Sequence, residues 1–134
     1  MVKLIVGLKG SGKTKTLIDL VNARAAESKG SVICIEKGNK LNMDITHKAR
    51  LIDTDSFMVA DAQALYGFVA GISASNHDIT DIFIDSALKI CGDDMAAFEL
   101  FVKEVEKLAA SAGFSCVMTA SAKIEDCAAL KDYL

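Results

Sequence analysis

Short apolar, mostly β-branched runs alternate with helical periods along the chain. No other feature limits its fold as strongly. Val2–Val6 reads as a buried strand, and Lys13 to Ser28 as a helix. In that helix Leu17, Leu20, Val21 and Arg24 share one side, and Gly30 serves as its stop. Ser31–Ile35 is a second strand, ending in Glu36. Ala60 to Ala74 has a helical period through Leu65, Phe68, Val69 and Ile72, and Asp81–Asp85 is a third strand. Asp93 or Asp94 caps a helix whose face carries Met95, Phe98, Phe101, Val102, Val105 and Leu108, with Gly113 ending it. Ser115–Ala120 is a fourth strand, and Ile124–Leu134 a short closing helix. The polar stretch from Lys37 to Phe57 is ambiguous, with Arg50–Ile52 as a possible extra strand. Strands that alternate with helices imply an α/β fold: a three-layer α/β/α sandwich around a mainly parallel sheet of four to five strands.

Composition agrees with such a core. The chain has 134 residues, of which 51% are hydrophobic and 25% charged, and it contains no proline. Against an average usage of about 5%, that absence favours uninterrupted helices and glycine-marked turns. A single domain over residues 1–134 is the expectation at this length. The net charge is −3 and the only arginines are Arg24 and Arg50. Nucleic acid is therefore not expected as the main ligand, and an anionic membrane finds no basic field. Met1–Val6 is too short for a signal segment, and no run reaches the ~18 apolar residues of a membrane span. The four cysteines, Cys34, Cys91, Cys116 and Cys127, are far apart with no C-x-x-C pair. They read as reduced core thiols, and the expected location is cytoplasmic.

Chemistry concentrates near the N-terminus. Gly7-Leu8-Lys9-Gly10-Ser11-Gly12-Lys13-Thr14 satisfies G-x-x-x-x-G-K-[ST], with a strand feeding the loop and a helix leaving it. Glycines let successive backbone N–H groups curl around phosphate oxygens, and the helix N-terminus adds its positive dipole end. An ordinary glycine-rich turn is the bland alternative.

The stretch resembles the Walker A motif of P-loop NTPases. That resemblance implies that Gly7, Leu8, Lys9, Gly10, Ser11, Gly12, Lys13, Thr14 and Lys15 form the nucleotide-binding loop, with the Lys9 side chain turned to solvent. Lys13 then reaches the β- and γ-phosphates and Thr14 binds Mg²⁺. It also implies a Walker B carboxylate, and Ile82-Phe83-Ile84-Asp85 supplies Asp85 as the second Mg²⁺ residue. The plainer role for Asp85 is to cap the turn after its strand. Asp81 begins that strand, at the opposite edge of the sheet, and is no candidate.

Many P-loop ATPases carry a Glu directly after this Asp, where the chain has Ser86. RecA-like ATPases are similar to this chain in pairing Asp with Ser there and placing a water-activating Glu on the adjacent strand tip. The resemblance makes Glu36 the candidate general base; a solvated Glu opening a loop is the alternative. Additional-strand folds of this class insert a strand with a polar tip near the γ-phosphate. Thr119 or Ser121 fits that sensor position. The implied sheet order is second, third, fourth, first. Recombinase-specific DNA loops and a subunit-docking arm are not recognisable.

The remaining residues carry less. Arg50 is a candidate arginine finger toward a neighbouring subunit, His47 and His77 read as surface residues, and Asp53 and Asp55 mark a turn. No N-K-x-D motif for guanine follows, so ATP with Mg²⁺ is the expected ligand. Three functions remain open: a small ATPase, a nucleoside or metabolite kinase using residues 37–57 as a lid, and a non-hydrolysing nucleotide-sensing adaptor. The nucleotide core would consume almost the whole chain, so the working partner is expected to be another protein or copies of this one.

Overall fold

A computed structural model describes residues 1–134. The chain runs β1 (Val2–Gly7), α1 (Lys13–Glu27), β2 (Ser31–Glu36) and β3 (Ala49–Asp53), then α2 (Ala62–Ser75) and β4 (Ile79–Ile84). A one-turn α3 (Ala87–Ile90), α4 (Met95–Ala112) and β5 (Ser115–Ser121) follow. The strands form one five-stranded sheet of order β1-β5-β4-β2-β3, parallel throughout. The third and fourth strands expected from the sequence are β4 and β5. With β1 and β2 they take the order β2-β4-β5-β1, and the ambiguous segment supplies β3 as an edge strand beyond β2.

Two cores sit on the two faces of this sheet. Val32, Cys34 and Phe83 face α1, where Leu17, Val21 and Ala25 cover them. Their sequence neighbours Ile33, Ile35, Ile82 and Ile84 point the other way and join Leu65, Val69, Phe98, Phe101, Val102 and Val105 of α2 and α4. Alternate side chains of one strand thus feed opposite layers, which is why the central runs read as continuously apolar. Each fully buried Leu, Ile or Phe contributes about 1.5–3 kcal/mol relative to exposure. The result is an α/β/α three-layer sandwich.

Helix starts differ in one respect that matters for the site. Asp61 caps α2 by accepting from the Ala64 amide, and Asp94 caps α4 by accepting from Ala97. α1 starts instead at Gly12, in the left-handed region at φ 85°, with no side-chain cap and no acid in its first turn. Its first amides are left to something other than the chain's own carboxylates.

Several expectations need correction. Leu20 is 39% exposed, and Ala25 takes its place in the buried stripe of α1, because a 3.6-residue period from Leu17 and Val21 arrives at residue 25. Gly30 does not end α1, which stops at Ser28 in an extended conformation. Gly30 is small for another reason: a Cβ there would run into the Asp78 carbonyl oxygen and the Thr80 methyl. β4 covers Ile79–Ile84, so Asp81 lies inside it and Asp85 just beyond it. Asp81 is buried at the far end of the strand and takes a two-pronged ion pair from Arg24 (3.1–3.2 Å). The closing segment Ile124–Tyr133 is 3₁₀ rather than α-helical, broken at Cys127 and Leu130. α3 was not anticipated. All four cysteines are free and buried, and no helix is long and apolar enough to cross a membrane.

Candidate functional site

Parallel strands bring their C-terminal ends to one edge of the sheet, and four of them meet there. Gly7 at the tip of β1 is level with Ser121 of β5, Ile84 of β4 with Met118 of β5, and Ile35 of β2 with Ile84. The Asp85 amide continues the ladder by donating to the Ile35 carbonyl at 2.8 Å. Asp85 and Glu36 therefore follow adjacent strand positions and lie side by side.

Across the sheet edge, residues far apart in sequence converge. The Thr14 hydroxyl, one residue into α1, donates toward Asp85 at 3.2 Å (Oδ1) and 3.4 Å (Oδ2). The Thr119 hydroxyl donates to Asp85 Oδ1 at 2.7 Å and accepts the Ser86 amide at 2.7 Å. Ser86 holds a left-handed φ of 58°. That geometry costs a non-glycine residue of order 1 kcal/mol and turns its amide toward Thr119. In the loop, Gly10 and Gly12 both sit at φ 85°, and the Ser11 amide closes a turn on the Leu8 carbonyl at 3.1 Å. Lys13 Nζ donates back to the Leu8 carbonyl at 3.0 Å and to Ser11 Oγ at 3.4 Å.

A cavity of about 500 Å³ opens in front of α1, lined by twelve residues, none of them apolar. Lys9, Gly10, Gly12, Lys13, Thr14, Lys15 and Thr119 of the expected site form part of its wall, with Ser121. Lys40, Ser86, Lys89 and Asp93 complete it. Gly7, Leu8 and Ser11 belong to the loop but not to the wall. Lys9, expected in solvent, is exposed and on the rim. Five lysines against one aspartate give the wall a positive balance in a chain of net charge −3, although Lys15 is paired with Asp19 at 3.8 Å and Asp85 lies behind Thr14 and Thr119.

Glu36 lies one cavity further on. A pocket of about 230 Å³ holds Glu36, Asp85, Asp55 and Lys37, and shares Lys40, Ser86 and Lys89 with the larger one. Glu36 is not the solvated residue of the alternative reading: it is 2% exposed, and its two oxygens accept the Lys40 amide (3.2 Å) and the Leu41 amide (3.1 Å). Burial pushes its carboxyl above the ordinary glutamate value, the two amides pull it back, and the charges of Asp85 and Asp53 add to the rise. Nearby Cys34 is pushed up to about 12, chiefly by burial, so it stays a neutral thiol.

Mg²⁺ favours hard oxygen ligands, usually one or two carboxylates completed by water and phosphate, and not a full protein cage. The Thr14 hydroxyl and the Asp85 carboxylate, already within hydrogen-bonding distance of each other, form such a partial set. No group of three or more His, Cys, Asp or Glu side chains that could hold a metal ion is present in the chain.

Arg50 is not brought here. It lies on edge strand β3, beside the largest cavity, about 630 Å³, whose wall includes Ile33, Ile52, Phe57, Phe68 and Ile72. That groove is more than half apolar in its lining and shares no residue with the lysine-lined cavity. Asp53 marks its turn by accepting the Gly38 and Asp55 amides. His47 and His77 are exposed. Lys89 and Asp93 are wall residues that sequence reasoning missed, and Lys40 was expected only within the 37–57 lid. Lys89 belongs to a four-residue helix, too short to show a period. The only available signal was its position four residues after Asp85. No protein-family model matches the chain, and no curated protein matches it.

Proposed function

We propose that this chain is a P-loop nucleoside triphosphatase with a RecA-like, additional-strand core, binding ATP together with Mg²⁺. The observation that carries the reading is the meeting of Thr14 and Asp85, 71 residues apart in sequence and 3.2 Å apart in space, at the uncapped start of α1. A hydroxyl from the loop helix and a carboxylate from a strand tip are what shared binding of Mg²⁺ requires. The strand order β2-β4-β5-β1 supports the additional-strand class.

In this reading the loop amides and Lys13 hold the phosphate chain, with Lys13 exchanging its contact to the Leu8 carbonyl for phosphate oxygen. Thr14 and Asp85 would hold Mg²⁺, whose charge would offset that of the phosphate oxygens. Thr119 fixes the Asp85 carboxylate. Glu36 accepts a proton from the attacking water as its oxygen bonds to the terminal phosphorus and the bond to the leaving diphosphate breaks. Its raised pKa suits a base, because a stronger base drives that transfer. A protein partner or further copies of the chain would use the energy. The four unpaired, buried thiols support a cytoplasmic setting.

One observation favours a second reading. Both oxygens of Glu36 are already engaged by backbone amides, and Ser86 occupies the other position a base could take. A chain that binds ATP without turnover and signals through the 37–48 loop fits that arrangement. Phosphate release measured on the full chain with Mg-ATP, alone and beside the Asp85→Asn variant, tests the first reading. Release that requires Asp85 supports hydrolysis. Tight binding without release supports the sensor.

A further inference from the structure

We infer that the site recognises the triphosphate chain and leaves the base unread. Nucleoside triphosphates of any base, and inorganic tripolyphosphate, then bind with similar affinity. The inference rests on the reading above and widens its ligand from ATP to the whole class.

The wall of the 500 Å³ cavity carries it. Its charged side chains are Lys9, Lys13, Lys15, Lys40, Lys89 and Asp93, and none of its residues is apolar. The lysines come from separate places: the glycine-rich loop, the first turn of α1, the loop after β2, and α3. A lysine ammonium is a point charge on a flexible stem. It attracts phosphate oxygen strongly but lacks the rigid planar fork with which an arginine fixes the orientation of its partner. Lys40 and Lys89 also line the adjoining pocket with Asp85 and Glu36, so positive charge extends along the cavity towards the carboxylates. That is the shape of a site for a chain of anions.

Base selection requires other materials. A nucleobase is held by stacking on an aromatic or apolar face and is identified by fixed donors and acceptors along its edge. The aromatic residues of this chain lie elsewhere. Phe83, Phe98, Phe101 and Phe114 are buried in the core, and Phe57 and Phe68 pack together, centroids 5.6 Å apart, beside the β3 groove. Tyr66 of α2 packs against the core, and Tyr133 is tied to Glu106. Among the wall's charged groups only the Asp93 carboxylate can accept from an exocyclic amine, and it is exposed on the rim, where water competes.

The test is a set of calorimetric titrations of the full chain, in Mg²⁺, with ATP, GTP, CTP, UTP, inorganic tripolyphosphate and adenosine. The four triphosphates should agree within about tenfold, since no buried hydrogen bond to the base is gained or lost. Tripolyphosphate should compete with ATP, and adenosine should not bind measurably. Combining Lys40→Ala with Lys89→Ala should weaken all four nucleotides and tripolyphosphate by the same factor. A preference above about a hundredfold for one base, with binding still dependent on Lys13, would overturn base indifference and leave the P-loop reading intact. Adenosine binding as tightly as ATP would also overturn it. Failure of every phosphate compound to bind would overturn both.

Discussion

Thr119 and Asp85 are joined by the hydroxyl of one and a carboxylate oxygen of the other at 2.7 Å, with both side chains buried. The same hydroxyl accepts the Ser86 amide, so one oxygen fixes both the acid at the end of β4 and the strained residue after it. Thr119→Val keeps the shape and removes the oxygen, leaving an amide and a carboxylate oxygen short of a partner. Urea unfolding should show a loss of about 1–3 kcal/mol, recovered by Thr119→Ser. A Val variant as stable as the wild type would mean that the hydroxyl does not hold Asp85.

Glu36 gives a pH prediction with a definite sign. Its carboxyl is raised above the ordinary 4.5, mainly by burial. The folded chain therefore holds that proton more tightly than the unfolded chain. The stability contributed by Glu36 is fully present below pH 4.5 and is lost as pH rises through its raised value. Glu36→Gln does not titrate, so the stability difference, variant minus wild type, should increase as pH climbs through that window. A difference independent of pH would show that the carboxyl is not perturbed.

The same variant separates a base from a loop anchor. As general base, Glu36 must be ionised, so wild-type phosphate release should fall as pH drops through its raised pKa, at constant ATP affinity. Glu36→Gln should bind ATP within a few-fold of wild type and release phosphate at least ~100-fold more slowly. Weakened binding with unchanged turnover would instead mark Glu36 as only the holder of the Lys40–Leu41 turn.

Thr54 carries the one buried side-chain oxygen with no hydrogen-bond partner. Thr54→Val replaces that hydroxyl with a methyl of the same shape. It should raise stability by about 1 kcal/mol, read as an increase in the urea midpoint with unchanged slope. A drop in the midpoint would mean that the hydroxyl finds a partner in solution.

Gly30 tests the joint between α1 and β2. A methyl there meets the Asp78 backbone oxygen, which is itself engaged by the Ser31 amide at 2.8 Å and so is held in place. Gly30→Ala should cost about 1–3 kcal/mol, the range for overpacking. Neutral behaviour would show that this joint can give way.

How far the sequence revealed the molecule follows from burial and length. β2 and β4 were legible because both their faces are covered, so Val32–Ile35 and Ile82–Ile84 read as unbroken apolar runs. β3 was ambiguous because it is an edge strand: Ala49 is buried, Arg50 is exposed, and Leu51, Ile52 and Asp53 are only partly covered. α3 was invisible because four residues make one turn. Leu20 has the hydrophobicity of a core residue but not the angle, and small Ala25 fits where α1 meets the sheet. In the site, Lys13, Thr14 and Asp85 were legible because a loop of fixed spacing and a strand-ending acid survive in one dimension. Lys89 and Asp93 reach the cavity through the path of the chain after Asp85, which no local pattern records.

The central claim is that the loop before α1 holds the phosphates of a nucleotide. It is tested most directly by titrating the full chain with Mg-ATP beside the Lys13→Ala variant. Lys13 is partly exposed and contacts only its own loop, so the variant should fold normally. The account predicts saturable wild-type binding, abolished by EDTA or weakened at least ~100-fold in Lys13→Ala, the cost of losing a charged hydrogen bond at phosphate. Equal affinity in a folded Lys13→Ala variant, or no binding to the wild type, would contradict it.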